Sequence, residues 1–299
     1  MSWHRRFRVR GVFWRQFLRW AVLNLPIWFE PLAIAWWSAV FLLIGSVRRG
    51  VMTNLTAIHP GSTRGANFFR TYRVFFNFAW TITDNVRFKE QRMIPDWEFV
   101  GMEHFQSLKN REGGAIIMTA HMGSYDLGAQ LFAETSGRKI VMVRAPETDP
   151  ETHAFEEGQH DRAGGVKIDF NTKASDLALE LLQSIQGGEI VAIQGDRVTP
   201  GIAALPATLF GKRLEIPAGP FALAMAARVP IYPLFIIRLG RRRYRLLTGE
   251  PFEVVRHSRN RDADFARAAA RWTSELERVI AGAWWQWYTF DPYSSELAA

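Results

Sequence analysis

The residues best suited to chemistry lie in AIIMTAHMGSYD, where His121 stands five positions ahead of Asp126. The preceding run AIIMTA (115–120) is short, apolar and rich in isoleucine, as a buried parallel strand is, and Ser124 is a favoured helix N-cap. His121 therefore falls where a strand hands over to a helix, and ligand sites in α/β sheets lie beyond the carboxyl ends of the strands. A carboxylate that accepts one imidazole N–H fixes the tautomer and raises the basicity of the other nitrogen toward a hydroxyl. Asp126, in the first helical turn, is the candidate for that partner. A dipole-favoured capping aspartate beside an unrelated histidine is the plainer reading of the same spacing.

No rival nucleophile accompanies the pair. The chain has no cysteine, which excludes a thiol nucleophile, disulfides, Cys-ligated zinc and iron–sulfur clusters. Ser124 in MGSYD lacks the second glycine of a nucleophile elbow. Direct transfer is then the economical mechanism, with His121 deprotonating an acceptor hydroxyl that attacks an activated acyl carbonyl. Arg144 and Arg197 each follow a strand pattern and could converge on a phosphate or pantetheine group. Asp196-Arg197 also reads as a local ion pair. His153, Glu156, Glu157 and His160 would share one helix face, but they lack the H-E-x-x-H order, and no metal is expected. Neither a P-loop nor a strand-flanked G-x-G-x-x-G occurs, so no nucleotide cofactor is expected.

Further short apolar runs, KIVMV (139–143), EIVAIQ (189–194) and IYPLFII (231–237), alternate with helical patterns over 124–135, 173–185 and 219–229. That alternation predicts an α/β sheet with helices on both faces. A last helix over roughly 262–281 precedes the tail WWQWYTFDPY, which is expected to pack across the sheet, and LGRRRYR places Arg241 to Arg243 at a hairpin tip. Residues 51–92 look helical and join the N-terminus to this body. With 299 residues and no linker rich in Pro, Gly or Ser, the expected organisation is an anchor over 1–50 and one domain over 51–299.

The charge balance narrows the partners. A net charge of +8, with 31 Arg against 6 Lys and twelve Trp, suits surfaces that meet phosphate, either nucleic acid or a membrane. Six arginines interleave with aromatics in residues 1–20, and residues 31–47 run seventeen positions without a charge. That concentration favours an anionic bilayer and a monotopic or re-entrant anchor. A span needs about 20 apolar residues, and by the positive-inside rule it would place the body outside the cell, away from its chemistry. A nucleic-acid-binding protein and a non-catalytic membrane scaffold are the alternatives from other classes; no nucleic-acid-binding motif supports the first.

HMGSYD, then VMVRAPE (141–147), VAIQGDRV (191–198), LFGKRLEIPAGPFALAMAARVPIYPLF (209–235) and the aromatic tail resemble, in that order, the lysophospholipid/lipid A biosynthesis acyltransferase family. RRGVMTNL (48–55) is similar to that family's early Arg and Asn-Leu signature. The resemblance implies a glycerol-3-phosphate-acyltransferase-like mixed sheet flanked by helices, with an N-terminal hydrophobic membrane-binding helix. It implies an enzyme on the cytoplasmic face of the bacterial inner membrane, moving a fatty acyl group from acyl carrier protein or coenzyme A to a hydroxyl of a glycolipid or lysolipid. No cofactor beyond that thioester co-substrate is implied. His121 would be the base and Asp126 its orienting partner, with Arg144, Asp196, Arg197, Phe210 and Gly211 around the substrate. The lipid A branch usually carries Glu at the position of Asp126, and a phospholipid, polyene or other specialised lipid is the alternative acceptor.

Overall fold

The computed structural model describes residues 12–91, 93–125, 127–128, 132, 137–144, 166–170, 174–199, 201–257 and 259–297. Nine strands are described. β1 (Asp96–Val100), β2 (Ala115–Thr119), β3 (Ile140–Arg144), β4 (Val166–Phe170), β5 (Ile190–Gln194), β8 (Ile231–Gly240) and β9 (Arg243–Thr248) form a seven-stranded sheet in the order β1-β9-β8-β2-β5-β3-β4. β6 (Ala204–Leu209) and β7 (Lys212–Pro217) form a separate antiparallel hairpin. The β8–β9 pair is antiparallel and the other pairings in the sheet are parallel. This matches the predicted mixed α/β sheet.

β2 lies between β5 and β8, and all five of its residues are buried, which is why its sequence is continuously apolar. Its side chains alternate between two cores. Ile116 and Met118 face a cluster with Phe235, Phe221 of α7 (Gly219–Ala227), Leu181 of α6 (Ala174–Gln186) and Trp272 of α8 (Arg261–Ala283). Ala115 and Ile117 face the opposite cluster with Leu234, Ile236, Tyr244 and Leu108 of α5 (Met102–Asn110).

The N-terminal helices differ from the expectation of one hydrophobic membrane-binding helix. The described chain opens with α1 (Val12–Asn24), α2 (Glu30–Leu43), α3 (Gly45–Ile58) and α4 (Arg64–Gln91). The charge-free run 31–47 is thus divided, with α2 and α3 meeting at 93°. Ile44 is extended at the break, and the Arg48 guanidinium donates to the orphan carbonyl of Leu42 at 2.6 Å, closing the end of α2. Among the described residues no single helix is long and apolar enough to cross a membrane. The predicted helical stretch after Val51 is likewise interrupted, by the Pro60-Gly61 turn, where Gly61 has φ +76°.

Polar contacts tie these helices to the body. Arg87 pairs with the buried Glu30, joining α4 to α2, and Arg19 meets Glu90 at 2.7 Å, joining α1 to α4. Asp84 of α4 accepts from Arg238 Nε and from Tyr244 Oη, each at 2.6 Å, and the Arg238 guanidinium lies 4.6 Å from the Trp80 ring centre. The outward side of α2 carries Leu32, Trp36 and Leu43, continued by Trp28 before it, all exposed and apolar.

Candidate active site

In the pairing of β2 with β5, Thr119 stands opposite Gln194. The register runs on past both strands, because Gly195 N–H donates to the Thr119 carbonyl at 2.8 Å. Two residues beyond each strand end, His121 and Asp196 therefore lie side by side at the carboxyl edge of the sheet. His121 Nδ1 is 2.7 Å from Asp196 Oδ1, and that oxygen also accepts the His121 backbone N–H at 3.2 Å. The His121 side chain is 30% exposed, whereas that of Asp196 is fully buried.

The His121 backbone N–H and the Trp287 indole N–H donate to Asp196, and the Arg197 guanidinium stands nearby at 3.8 Å, a setting for an ionised carboxylate. Burial by itself would push the carboxyl up. The charge of His121 and its hydrogen bond, then the nearby Arg197 and the Trp287 indole N–H, outweigh burial and hold Asp196 well below the usual carboxylate range. With the carboxylate charged, the short bond assigns the proton to Nδ1, which leaves Nε2 as the free lone pair.

The loop that carries His121 is held by its backbone. Gly123 has φ +55°, and a Cβ there would lie 1.7 Å from the Ile236 carbonyl oxygen, so only glycine lets the loop dock on β8. Ser124 N–H donates to that same carbonyl at 3.0 Å. Ser124 is itself fully buried, which removes it as a nucleophile.

The chain beyond α8 forms the other wall. After the 3₁₀ turn Trp284–Gln286 it runs extended over the site. Gly123 N–H donates to Gln286 O at 2.9 Å and Tyr288 N–H to His121 O at 2.8 Å. Trp287 Nε1 donates to Asp196 Oδ2 at 3.1 Å. Arg197 Nη2 donates to Tyr288 O at 3.0 Å and lies 3.8 Å from Asp196 Oδ2. Trp287 packs into the core against the sheet, as expected of this tail, whereas Tyr288 packs against α4 at Phe78 and Thr81. Trp284 and Trp285 are half-buried against Arg73, whose guanidinium is 4.0 Å from the Trp285 ring centre.

The other residues singled out in the sequence fall differently. Asp126 lies outside the described residues, and the Nδ1–H of His121 is engaged by Asp196. Arg144 ends β3 at the same edge of the sheet as His121, and its side chain is outside what is described. Phe210 and Gly211, with φ of +47° and +71°, are the two central residues of the β6–β7 turn, the pattern of a type I′ hairpin. Glu277 accepts the Phe210 N–H at 2.8 Å, and Phe210 borders an open groove of about 640 Å³ between β6 and α8 that contains neither His121 nor Asp196. Of the three arginines expected at the β8–β9 tip, Arg241 and Arg242 form it and Arg243 opens β9, paired with Gly240. Residues 153–160 lie outside the described residues; among those described, no group of three or more His, Asp or Glu is placed to hold a metal ion.

The pairing of His121 with Asp196 was missed, although a signal existed: both follow their strands by the same offset of two residues. Asn54 was also missed as a structural residue. Its Nδ2 donates to Thr289 O and Asp291 O, each at 2.9 Å, and its Oδ1 accepts the Tyr293 N–H at 3.1 Å, which anchors the tail to α3.

A mostly parallel α/β sheet with a buried carboxylate and a solvent-reaching imidazole at its carboxyl edge has the form of an enzyme site. Residues 2–292 match the family described as bacterial lipid A biosynthesis acyltransferase, and the chain belongs to that family. The protein is an acyltransferase. No curated protein matches it.

Proposed function

We propose that the protein moves a fatty acyl group from an acyl thioester, of acyl carrier protein or coenzyme A, to a hydroxyl of a lipid A precursor-like glycolipid at the bacterial inner membrane. The observation that carries the reading is the 2.7 Å contact between His121 Nδ1 and Asp196 Oδ1 at the end of the central strand of a chain in an acyltransferase family. His121 Nε2 takes the proton of the acceptor hydroxyl as its oxygen bonds to the thioester carbonyl carbon. Asp196 stabilises the imidazolium that forms. The tetrahedral intermediate then collapses, the carbon–sulfur bond breaks, and the departing thiolate takes the proton back from Nε2. Acyl-O-acceptor and free thiol are the products, and no acyl-enzyme is needed.

In this reading Asp196 takes the orienting role first given to Asp126, and Phe210-Gly211 stand at the β6–β7 turn. Arg144 and Arg197 remain the basic groups at the edge where a phosphate of donor or acceptor would lie. A small void of about 30 Å³ lies against the sheet, lined mostly by apolar groups such as Ile117, Ile140, Met142, Ala192 and Leu234, together with Thr119, Tyr125 and Gln194.

The bilayer contact is assigned to α1 and α2. Phe17, Trp20, Leu23, Trp28, Leu32, Trp36 and Leu43 present exposed apolar groups, and the basic N-terminal segment precedes them. Two short helices with such a face suit immersion in one leaflet of an anionic membrane.

The test is lipid mass spectrometry of a deletion strain complemented with wild-type protein or with His121→Ala. The wild type restores an acylated lipid that the deletion lacks and the variant does not, with in vitro turnover down by about 10²–10⁴-fold. Restoration by His121→Ala would remove the base from the mechanism.

A further inference from the structure

Asp196 has two carboxylate oxygens with different tasks. Oδ1 serves His121 twice, through Nδ1 and through the backbone N–H. Oδ2 receives the indole N–H of Trp287 at 3.1 Å, while Arg197 stands further off at 3.8 Å and directs its own N–H to the Tyr288 carbonyl. The indole is thus the nearest donor that sets the rotation of the carboxylate about its Cβ–Cγ bond.

Trp287 is fixed through its backbone and through its ring. Trp287 is 3% exposed within the main core cluster, Met122 pairs with it in an antiparallel bridge, and Tyr293 lies 5.3 Å from it between ring centres. Its neighbour Tyr288 donates backbone N–H to His121 O and shares a 2.8 Å hydroxyl contact with Thr81 of α4. Asn54 pins the next turn of the tail to α3 through three hydrogen bonds. A Cβ on Gly50 of α3 would lie 2.0 Å from the Phe290 carbonyl oxygen, so the tail and α3 touch backbone to backbone. The two loops that bear His121 and Asp196 leave different strands, and this one segment bonds to both.

We infer that Trp287 is a positioning residue of the acyl-transfer site: its indole N–H holds Oδ2 of Asp196 so that Oδ1 stays on the imidazole. The inference rests on the reading of His121 as the base. A merely packed tryptophan would contribute through its ring, and Trp287→Phe keeps a ring while deleting the N–H. Without that donor the carboxylate is more basic and less fixed. The carboxylate then shares the Nδ1 proton differently, and the pH dependence of transfer changes with it.

The experiment measures transfer by the full-length protein in detergent–lipid micelles, with the dodecanoyl thioester of acyl carrier protein as donor and the lipid extract of the deletion strain as acceptor. Trp287→Phe is expected to lower kcat by about 10- to 100-fold with KM for the donor within about twofold, as small misplacements of a base do. The acid limb of its pH–rate profile is displaced from that of the wild type, and in an Asp196→Asn background the substitution adds no further loss of kcat. Wild-type kcat and acid limb in Trp287→Phe, alongside an inactive His121→Ala, overturn the inference and leave the base reading standing; an active His121→Ala overturns the base reading itself. Should Trp287→Phe not fold, wild-type protein labelled with ¹⁵N in its indoles answers instead. One indole N–H resonance, absent from its place in Asp196→Asn, should titrate with the midpoint of the activity profile. Twelve resonances indifferent to that midpoint overturn the inference.

Discussion

Trp28 and Trp36 near the start of the chain are 71% and 62% exposed, whereas Trp287 near its end is 3% exposed. Both regions are rich in tryptophan and other aromatics, yet one turns them outward and the other inward. The difference lies in what surrounds them. The outward side of α2 bears apolar groups alone, and its polar residues Glu30 and Ser38 point inward, to Arg87 and to the Ile34 carbonyl. In the tail the aromatic heteroatoms find protein partners: Trp287 Nε1 meets Asp196, and the Tyr288 hydroxyl meets Thr81. Burial keeps that phenol well above its ordinary pKa, so it remains a neutral hydrogen-bonding group. An amphipathic ring goes to whichever place can satisfy both its body and its tip.

The sharpest way to test the inward half is to remove what the tail holds. Asp196→Asn preserves shape but places a neutral amide against the imidazole, and the partner that stabilises the imidazolium is lost. Turnover should fall by about 10²–10³-fold with the fold intact by circular dichroism. Asp126→Asn, measured beside it, should fall by less. A larger loss at Asp126 would return the orienting role to that residue.

That contrast marks where the sequence was legible. The central strands, the long last helix and the position of His121 follow from apolar runs, helical periodicity and the strand-to-helix turn, because each is a local pattern. β1, β6, β7 and β9 alternate more and less exposed residues or sit at edges, and their more polar sequences carry no comparable signal. The His121–Asp196 pair spans 75 residues and the Asn54 contacts span more than 230, so neither can be found by local spacing. What brings them together is sheet order, with β5 beside β2 although β3 and β4 intervene in sequence.

The outward half is tested by its complement. Trp28→Ser with Trp36→Ser removes two exposed rings on which the proposed bilayer contact rests. Partitioning onto vesicles containing anionic phospholipid should weaken by about 10- to 100-fold, with Tm unchanged to within a few degrees. Trp287→Phe should do the opposite, lowering Tm while leaving vesicle partitioning at the wild-type level. Equal losses of partitioning in both proteins would show that aromatic content as such, rather than the α2 face, sets membrane affinity.

The smallest effect expected separates the tail's anchorage from its chemistry. Asn54 is buried and completes three hydrogen bonds to the backbone of residues 289–293 without touching His121 or Asp196. Asn54→Ala leaves two carbonyls and one N–H short of a partner, a loss of about 1–3 kcal/mol, and Tm should drop by several degrees in a thermal melt. Because the indole of Trp287 still reaches Asp196 through the packed core, kcat should fall by no more than about tenfold, and the acid limb of the pH profile should stay where the wild type has it. A displaced limb in Asn54→Ala would mean that the carboxylate is oriented by the whole tail acting as one body, with Trp287 only its nearest atom.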